Sequence, residues 1–225
     1  MRGRLLLLLT LTLLPLGLLQ RPAAADTWLL PEKRKYYSPN KKFYLEVTPK
    51  ELESQLKYFE DKVEGREDAG ARKGVKGNVA RAALYARGEG GGYLKRQEFR
   101  LVNEVSPVSA LVSDGGAYVV TFDNWHAAGY GDDVVVIYGY DGTLIRKFGL
   151  EDLLTPRDIG KLPRSVSSIW WGGEHYIDEA KGLLVLKVVS NGKLWEAGVT
   201  YQELRIELAT GRPLEPKRDL FAKQD

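Results

Sequence analysis

The sequence has no cysteine and only two histidines, His126 and His175, and these shortages exclude several kinds of chemistry. Without cysteine the chain has no disulfide, no thiolate nucleophile and no cysteine metal ligand. Two histidines leave few ways to build a Ser-His-Asp triad, and neither Gly-x-Ser-x-Gly nor Gly-Lys-Ser/Thr occurs. The sequence therefore indicates neither a nucleophilic hydrolase nor a phosphate-binding loop.

An excess of charge of one sign is also missing once the N-terminal segment is set apart. A basic start, an apolar run from Leu5 to Leu19 and the pattern Ala23-x-Ala25 are typical of a secretory signal peptide spanning residues 1–25. Removing Arg2, Arg4 and Arg21 from the 33 basic residues leaves 30, which equals the 30 acidic residues. We therefore expect a soluble, secreted or periplasmic protein with no membrane span after cleavage and no nucleic-acid partner.

Residues 26–225 are predicted to form a single β-rich domain. Three strands are indicated by β-branched and aromatic residues over Tyr118–Phe122, Val134–Tyr138 and Leu144–Phe148, with glycine-containing turns before the first and third. Residues 65–78 are polar, glycine-rich and without periodicity, which predicts a flexible surface loop.

One amphipathic helix is predicted after the strand Phe43–Val47. Thr48-Pro49-Lys50-Glu51 has the pattern of a capped helix start, with proline at the first helical position. The stripe Leu52, Leu56, Phe59 and Val63 has helical spacing and predicts a face that docks on a sheet.

Parts of the chain repeat. ALYARGEGGGYLKRQEF and VIYGYDGTLIRKF share a strand, a tyrosine, a glycine turn, a leucine, a basic residue and a phenylalanine, and the preceding strands SPNKKFYLEV and SDGGAYVVTF also correspond. A fainter third copy begins at Asp178 and ends at Leu214. Such repetition indicates an array of similar supersecondary units.

The first two copies resemble blades of secreted bacterial WD-repeat-like β-propeller proteins. SPNKKFYLEV is similar to their Ser-Pro-Asp-Gly-x-Tyr strand, and VVVIYGYDGTLIRKF to the hairpin that follows it, although the Gly-His and Trp-Asp signatures are missing. The resemblance covers most of residues 38–216. It implies a mostly β fold of three propeller-like antiparallel blade units plus the amphipathic helix. Because a closed propeller has four or more blades, the expected propeller is open or incomplete.

The segment between the first two of those predicted strands is the candidate site. It concentrates carboxylates, an amide, an imidazole and aromatic rings at Asp123, Asn124, Trp125, His126, Tyr130, Asp132 and Asp133. Oxygen ligands suit Ca²⁺, and Asp123, His126 and Asp132 could suit Zn²⁺, although no known calcium-loop pattern is present. The alternative is an ordered loop without metal, held by local hydrogen bonds. Gly129 and Gly131 then predict unusual backbone conformations there.

The second histidine and the tryptophan pair lie elsewhere. Ser165–Trp171 is predicted to be an inner strand, which would bury one of Trp170 and Trp171 and present at most the other. On the blade alignment His126 and His175 lie in successive connections and hence at opposite ends of the strands, which argues against a shared site.

These observations favour a non-enzymatic binding or scaffold protein of the cell envelope without a cofactor, with a protein or a glycan as partner. Two alternatives centre on the 123–133 loop. One is a metal-dependent hydrolase, and the other is a carbohydrate-binding module that uses Trp125 or Trp171. The sequence leaves the oligomeric state open.

Overall fold

The computed structural model describes residues 28–193, 198–217 and 220–221. The predicted signal peptide lies outside these residues. Twelve strands form three four-stranded antiparallel sheets, each with its strands in chain order. The fold is therefore mostly β, as predicted. No helix among the described residues is long and apolar enough to cross a membrane.

The strands follow the predicted repeats closely. The first sheet contains β1 (Arg34–Tyr37), β2 (Phe43–Thr48), β3 (Arg81–Arg87) and β4 (Tyr93–Arg100). The second contains β5 (Pro107–Val112), β6 (Tyr118–Asn124), β7 (Val135–Gly139) and β8 (Leu144–Phe148). The third contains β9 (Tyr176–Asp178), β10 (Leu183–Val189), β11 (Tyr201–Glu207) and β12 (Arg212–Pro213).

The second sheet lies between two hydrophobic cores. Successive side chains of a strand point to opposite faces of its sheet. On β7, Val136 and Tyr138 join a cluster with Leu45 and Leu84 of the first sheet, whereas Ile137 and Val135 join a cluster with residues of β10 and β11. This double burial explains why β7 is apolar without alternation.

Three helices complete the described chain: α1 (Gln55–Val63), α2 (Leu150–Leu153) and α3 (Pro156–Lys161). The predicted start of α1 at Thr48 is wrong. Thr48 still pairs with Arg81 in the sheet, and the helix is capped by Ser54, whose side chain accepts from the Lys57 N–H. The local capping pattern is overridden because the β2–β3 ladder continues through it.

The docking face of α1 also differs from the predicted stripe. Leu56 is 68% exposed, whereas Tyr58 is 6% exposed and packs with Trp125 in a small core. Phe59 is partly buried against that core, and Asp61 is buried with a hydrogen bond from the Gly70 N–H. The helix therefore docks through Tyr58 and Phe59, whereas Leu56 of the predicted stripe is exposed. Within the predicted flexible loop, Ala69 is fully buried in the same core.

Replacing Leu56 with alanine is expected to change the free energy of unfolding by less than about 0.5 kcal/mol, because an exposed side chain leaves no cavity. Tyr58→Ala is the matched contrast on the same helix and should lose about 3 kcal/mol. Urea unfolding of both variants measures the difference. A loss of several kcal/mol at Leu56 would restore the predicted apolar stripe as the docking face.

Candidate functional site

The 123–133 segment connects β6 to β7 as an ordered loop. The Ala127 N–H donates to the Asn124 carbonyl, and the Tyr130 N–H donates to the Ala127 carbonyl. Asp123 and His126 both have left-handed backbone, with φ of 57° and 70°. Such conformations are uncommon outside glycine and occur more often at aspartate and histidine than at other residues. The loop therefore holds two unusual backbone positions within four residues.

The Asp123 carboxyl group links this loop by hydrogen bonds to the segment that precedes the third sheet. Its Oδ1 accepts from the Gly129 N–H at 2.7 Å and from Trp171 Nε1–H at 3.0 Å. Gly129 has φ of 74°, and a Cβ there would lie 2.7 Å from the Ile169 carbonyl oxygen. Only glycine fits this approach, so the glycine prediction is confirmed at Gly129; Gly131 also has positive φ, at 89°.

The environment of Asp123 disfavours its charge. Burial raises the pKa of this carboxyl to about 6, although the hydrogen bonds from Trp171 and Gly129 partly oppose the rise. The negative charge of Asp133 contributes to the same rise in pKa. Asp123 has no ion pair with a Lys or Arg in the described part of the chain. Its ionised form is thus left without a compensating cation.

His175 lies where the first strand of the third sheet is interrupted. β9 pairs with Leu183–Val185, and Gly172 makes a separate bridge to Val188 on the same edge of β10. Between these pairings, His175 Nδ1 accepts from the Lys187 N–H at 3.1 Å, in place of a backbone carbonyl. Burial, and to a smaller extent the Lys187 charge, lower the pKa of His175 to about 4. The imidazole is therefore neutral, with its proton on Nε2.

The predicted inner strand Ser165–Trp171 is not formed as such. Arg164 bridges Ile169 across a tight turn, in which the Ser165 N–H donates to the Ser168 carbonyl. Only the end of the segment reaches β10, where the Val189 N–H donates to the Trp171 carbonyl. His175 therefore lies along the interrupted edge of β10 and not in a connection between two strands. The prediction that His126 and His175 lie in successive connections is also wrong.

Asp123 and His175 line one cavity of about 260 Å³ between the second and third sheets. Three indoles line it as well, at Trp28, Trp170 and Trp171. The His175 ring stacks on Trp171 with centroids 4.6 Å apart and lies 4.7 Å from the Phe122 ring. We call this space the indole cavity. Its remaining lining residues are Val108, Ser109, Phe122, Ala128, Ser168, Ile169, Gly172 and Gly173.

Four of the other predicted site residues line a different cavity from Asp123. Asn124, Trp125, Tyr130 and Asp133 line a second cavity of about 270 Å³ beside α1. Asp123 therefore faces one cavity and four of its predicted partners face another. The sequence could not predict this division, because it does not show on which side of a loop each side chain lies.

The polar groups of the second cavity are already paired with one another. Asn124 Nδ2 donates to Asp133 Oδ1 at 2.6 Å, while Glu104 accepts from the Tyr58 hydroxyl at 3.2 Å and from Lys62 Nζ at 2.9 Å. Burial raises the pKa of Asp133, and the charge of Lys147 opposes that rise. Both carboxylates thus have cationic neighbours, which makes this cavity a weaker candidate than the indole cavity.

His126 and Asp132 line neither cavity. The His126 ring packs 4.0 Å from the Phe59 ring and 6.2 Å from the Trp28 ring. The Asp132 side chain is 88% exposed and lies 3.7 Å from Lys147 Nζ. Among the described residues, no group of three or more His, Asp or Glu side chains could hold a metal ion. Asp123, His126 and Asp132 are therefore not gathered into one site.

Asp132→Asn is expected to change the free energy of unfolding by less than about 0.5 kcal/mol, because an exposed ion pair contributes little. The sequence alone instead predicted a loss of about 1–3 kcal/mol, from one charge-assisted hydrogen bond. Thermal or urea unfolding with and without a chelator measures the effect. A loss above about 1 kcal/mol would show that this carboxylate holds the loop.

The tryptophans that the sequence proposed for sugar stacking are both buried. Trp125 is 6% exposed and donates its Nε1–H to the Leu29 carbonyl, and Trp171 is 2% exposed. Among the tryptophans that the structure describes, the partly exposed ones are Trp28 and Trp170. The expectation that one of the adjacent pair Trp170 and Trp171 would be buried is confirmed. Neither Trp125 nor Trp171 presents an open ring face for sugar stacking.

Ser168, His175 and Asp123 share the indole cavity but do not form a hydrolytic triad. A triad requires the histidine to accept from the serine and donate to the carboxylate. Here His175 Nδ1 is occupied by the Lys187 N–H, and Asp123 Oδ1 by Gly129 and Trp171. No hydrogen bond joins any two of these three described side chains.

Comparisons with known proteins were made for the whole chain. No protein-family model matches it, and neither does any curated protein. Its function is therefore inferred from the residues of the indole cavity.

Proposed function

We propose that this protein is an exported, non-enzymatic binding protein of the cell envelope whose ligand occupies the indole cavity. The observation that carries this proposal is Asp123, whose backbone is left-handed and whose partly buried carboxyl group lies on the cavity wall with no cationic partner among the described residues. Strained backbone and disfavoured charge cost stability, and such costs concentrate at functional sites. A concave, mainly apolar space with a few polar groups is the usual form of a small-ligand site.

Binding fits this cavity better than catalysis does. The neutral His175 is held by the backbone through Nδ1, and Asp123 is the one carboxyl group that lines the space within the described part of the chain. Hydrolysis of a glycoside generally uses two carboxylates that flank the bond, and a serine nucleophile needs a paired base. The side chains present can orient and enclose a ligand without a group positioned to activate a nucleophile.

We further propose that the three sheets are consecutive blades of an open propeller. Support comes from the second sheet, whose alternate side chains enter the cores on both sides, and from the contact between β1 and β5, the first strands of their sheets. The indole cavity lies beside β5 and the interrupted first strand of the third sheet. In this arrangement the ligand would bind near the innermost strands, where propellers have their central channel.

Export can be tested with the full chain expressed in a secreting bacterial host. The expected product is a soluble protein in the periplasm or medium whose mass corresponds to a chain starting at Asp26. An uncleaved chain that remains in the membrane fraction would contradict export of a soluble form, and would show that Leu5–Leu19 anchors the protein.

Ligand-detected NMR with four small probes tests the binding site. The probes are choline, 3,3-dimethylbutan-1-ol, methyl β-D-glucopyranoside and acetate, of which the glucoside represents the glycan alternative. At least one probe should bind the wild-type protein, and binding should be lost in Trp170→Ala. Tyr130→Ala is the matched control because Tyr130 lines the second cavity, and it should bind as the wild type does. Absence of binding by all four probes, or loss only in Tyr130→Ala, would contradict the proposal.

A further inference from the structure

The wall of the indole cavity combines one carboxyl group with several aromatic rings. Asp123 is the only acidic residue that lines it, and no Lys or Arg lines it among the described residues. Trp28 and Trp170 supply partly exposed indoles, and the buried rings of Trp171 and Phe122 complete the aromatic wall. A cation is attracted to the face of an aromatic ring, most strongly to tryptophan, and to a carboxylate. The chemistry of this wall therefore matches a positively charged ligand.

The two oxygens of Asp123 have different roles. Oδ1 accepts both protein hydrogen bonds, from the Gly129 N–H and from Trp171 Nε1–H. Oδ2 accepts no hydrogen bond within the described chain. Because the described chain has no buried side-chain oxygen without a hydrogen-bond partner, Oδ2 is exposed to open space. Asp123 also lines the indole cavity. One oxygen thus fixes the orientation of the group, and the other is available to a ligand.

The two lysines whose charges act on His175 and Asp133, Lys187 and Lys147, are engaged elsewhere. Lys187 Nζ lies 5.7 Å from the centre of the Tyr176 ring, and Lys147 Nζ pairs with Asp132. The imidazole of His175 cannot supply a positive charge either, because the Lys187 N–H occupies its Nδ1. A ligand that carries a positive charge would complete the site, whereas an anion would meet an uncompensated carboxylate.

We infer that the ligand of the indole cavity is a small molecule bearing an ammonium group, held between Asp123 Oδ2 and the surrounding aromatic rings. The inference rests on the proposed function, since it names the ligand class of that same cavity. The volume of about 260 Å³ lies just below the roughly 300–1,000 Å³ of cavities for drug-sized ligands, so the ligand is small. Primary and quaternary ammonium groups share the required charge.

The test compares choline with 3,3-dimethylbutan-1-ol, in which a carbon atom replaces the charged nitrogen. Dissociation constants are measured by calorimetry at constant ionic strength, so that screening does not differ between the two probes. The wild-type protein is expected to bind choline about tenfold more tightly than the neutral probe. Asp123→Asn should remove most of this preference, because it should weaken the binding of choline far more than that of the neutral probe.

A second variant separates the aromatic contribution from the carboxylate. Trp170→Leu keeps an apolar side chain on the wall but removes one ring face, so it should weaken choline more than the neutral probe. Equal binding of the two probes by the wild type would overturn the ammonium inference and leave the proposed binding site intact. Binding of none of the four probes would overturn both, and tighter binding of acetate than of choline would reverse the inferred charge.

Discussion

Trp125→Ala is expected to lower the free energy of unfolding by about 3–5 kcal/mol. Trp125 is 6% exposed, and its ring lies 5.3 Å from the Tyr58 ring and 6.4 Å from the Phe59 ring. Its Nε1–H also donates to the Leu29 carbonyl at 2.8 Å. The substitution opens the small core that joins α1, the loop and the N-terminal segment, which has few other large side chains to refill it.

Urea unfolding measures this loss, and Trp125→Phe provides the control. Phenylalanine keeps most of the ring contacts but cannot donate to Leu29, so the control should lose about 1–2 kcal/mol. A loss below about 1 kcal/mol in the alanine variant would contradict the account of Trp125 as a structural residue. It would instead favour the earlier sequence interpretation, in which this indole is free to contact a ligand.

Asp123→Asn is expected to stabilise the protein by about 1–3 kcal/mol at pH 8. The asparagine side chain oxygen can still accept from Gly129 and Trp171, and asparagine tolerates the left-handed backbone at this position. What the substitution removes is the charge that burial disfavours. Most substitutions at buried, hydrogen-bonded positions destabilise a protein, so a gain here would be distinctive.

The raised pKa of Asp123 determines the pH range in which the substitution stabilises the protein. An aspartate has an ordinary pKa of about 3.9, whereas the folded protein raises the pKa of Asp123 to about 6. Below about pH 4 both folded and unfolded forms bind the proton. As pH rises from about 4 to 6, the unfolded form releases its proton first, and the wild type loses stability over that window. The Asn variant lacks this loss.

Urea unfolding of the wild type and Asp123→Asn at pH 4, 5, 6 and 8 tests the prediction. The two should be closest at pH 4 and separate progressively up to about pH 6. Asp132→Asn is the matched control because its carboxylate is exposed, and its difference from the wild type should stay small throughout. An Asp123→Asn variant that is less stable than the wild type at pH 8 would show that the ionised carboxylate stabilises the fold.

Most strands could be predicted because their signals are local. β8 has the predicted bounds, Leu144–Phe148, and β6 begins at Tyr118 as predicted and continues to Asn124. The repeat of tyrosine, glycine turn and basic residue also anticipated that the chain forms several similar sheets. Each of these features depends on residues that are close in sequence.

The errors in the helix arise from partners that are distant in sequence. Thr48-Pro49-Lys50-Glu51 would start a helix in isolation, but the Lys50 N–H donates to the Val105 carbonyl. The Asn78 side chain holds the Glu51 backbone, because its Oδ1 accepts from the Glu51 N–H and its Nδ2 donates to the Glu51 carbonyl. These non-local hydrogen bonds keep the segment extended until Ser54, and the later start turns Tyr58 rather than Leu56 toward the core.

The candidate site shows the same limit. The sequence singled out the loop, yet Asp123 and Asp132 are the same residue type, and only their neighbours in space distinguish a buried carboxyl from an exposed one. The partner that distinguishes Asp123 is Trp171, which lies 48 residues away in the chain. Trp28 and His175 reach the same cavity from other parts of the chain.

The most direct test of the indole cavity is a choline titration followed through the indole N–H signals in ¹⁵N NMR spectra. Five tryptophans give five such signals, which can be assigned by single substitutions. The account predicts saturable shifts for Trp28, Trp170 and Trp171, and no comparable shift for Trp125. Shifts at Trp125 alone would contradict the assignment of the indole cavity as the ligand site, and the absence of a saturable shift at every indole would contradict choline as a ligand of that cavity.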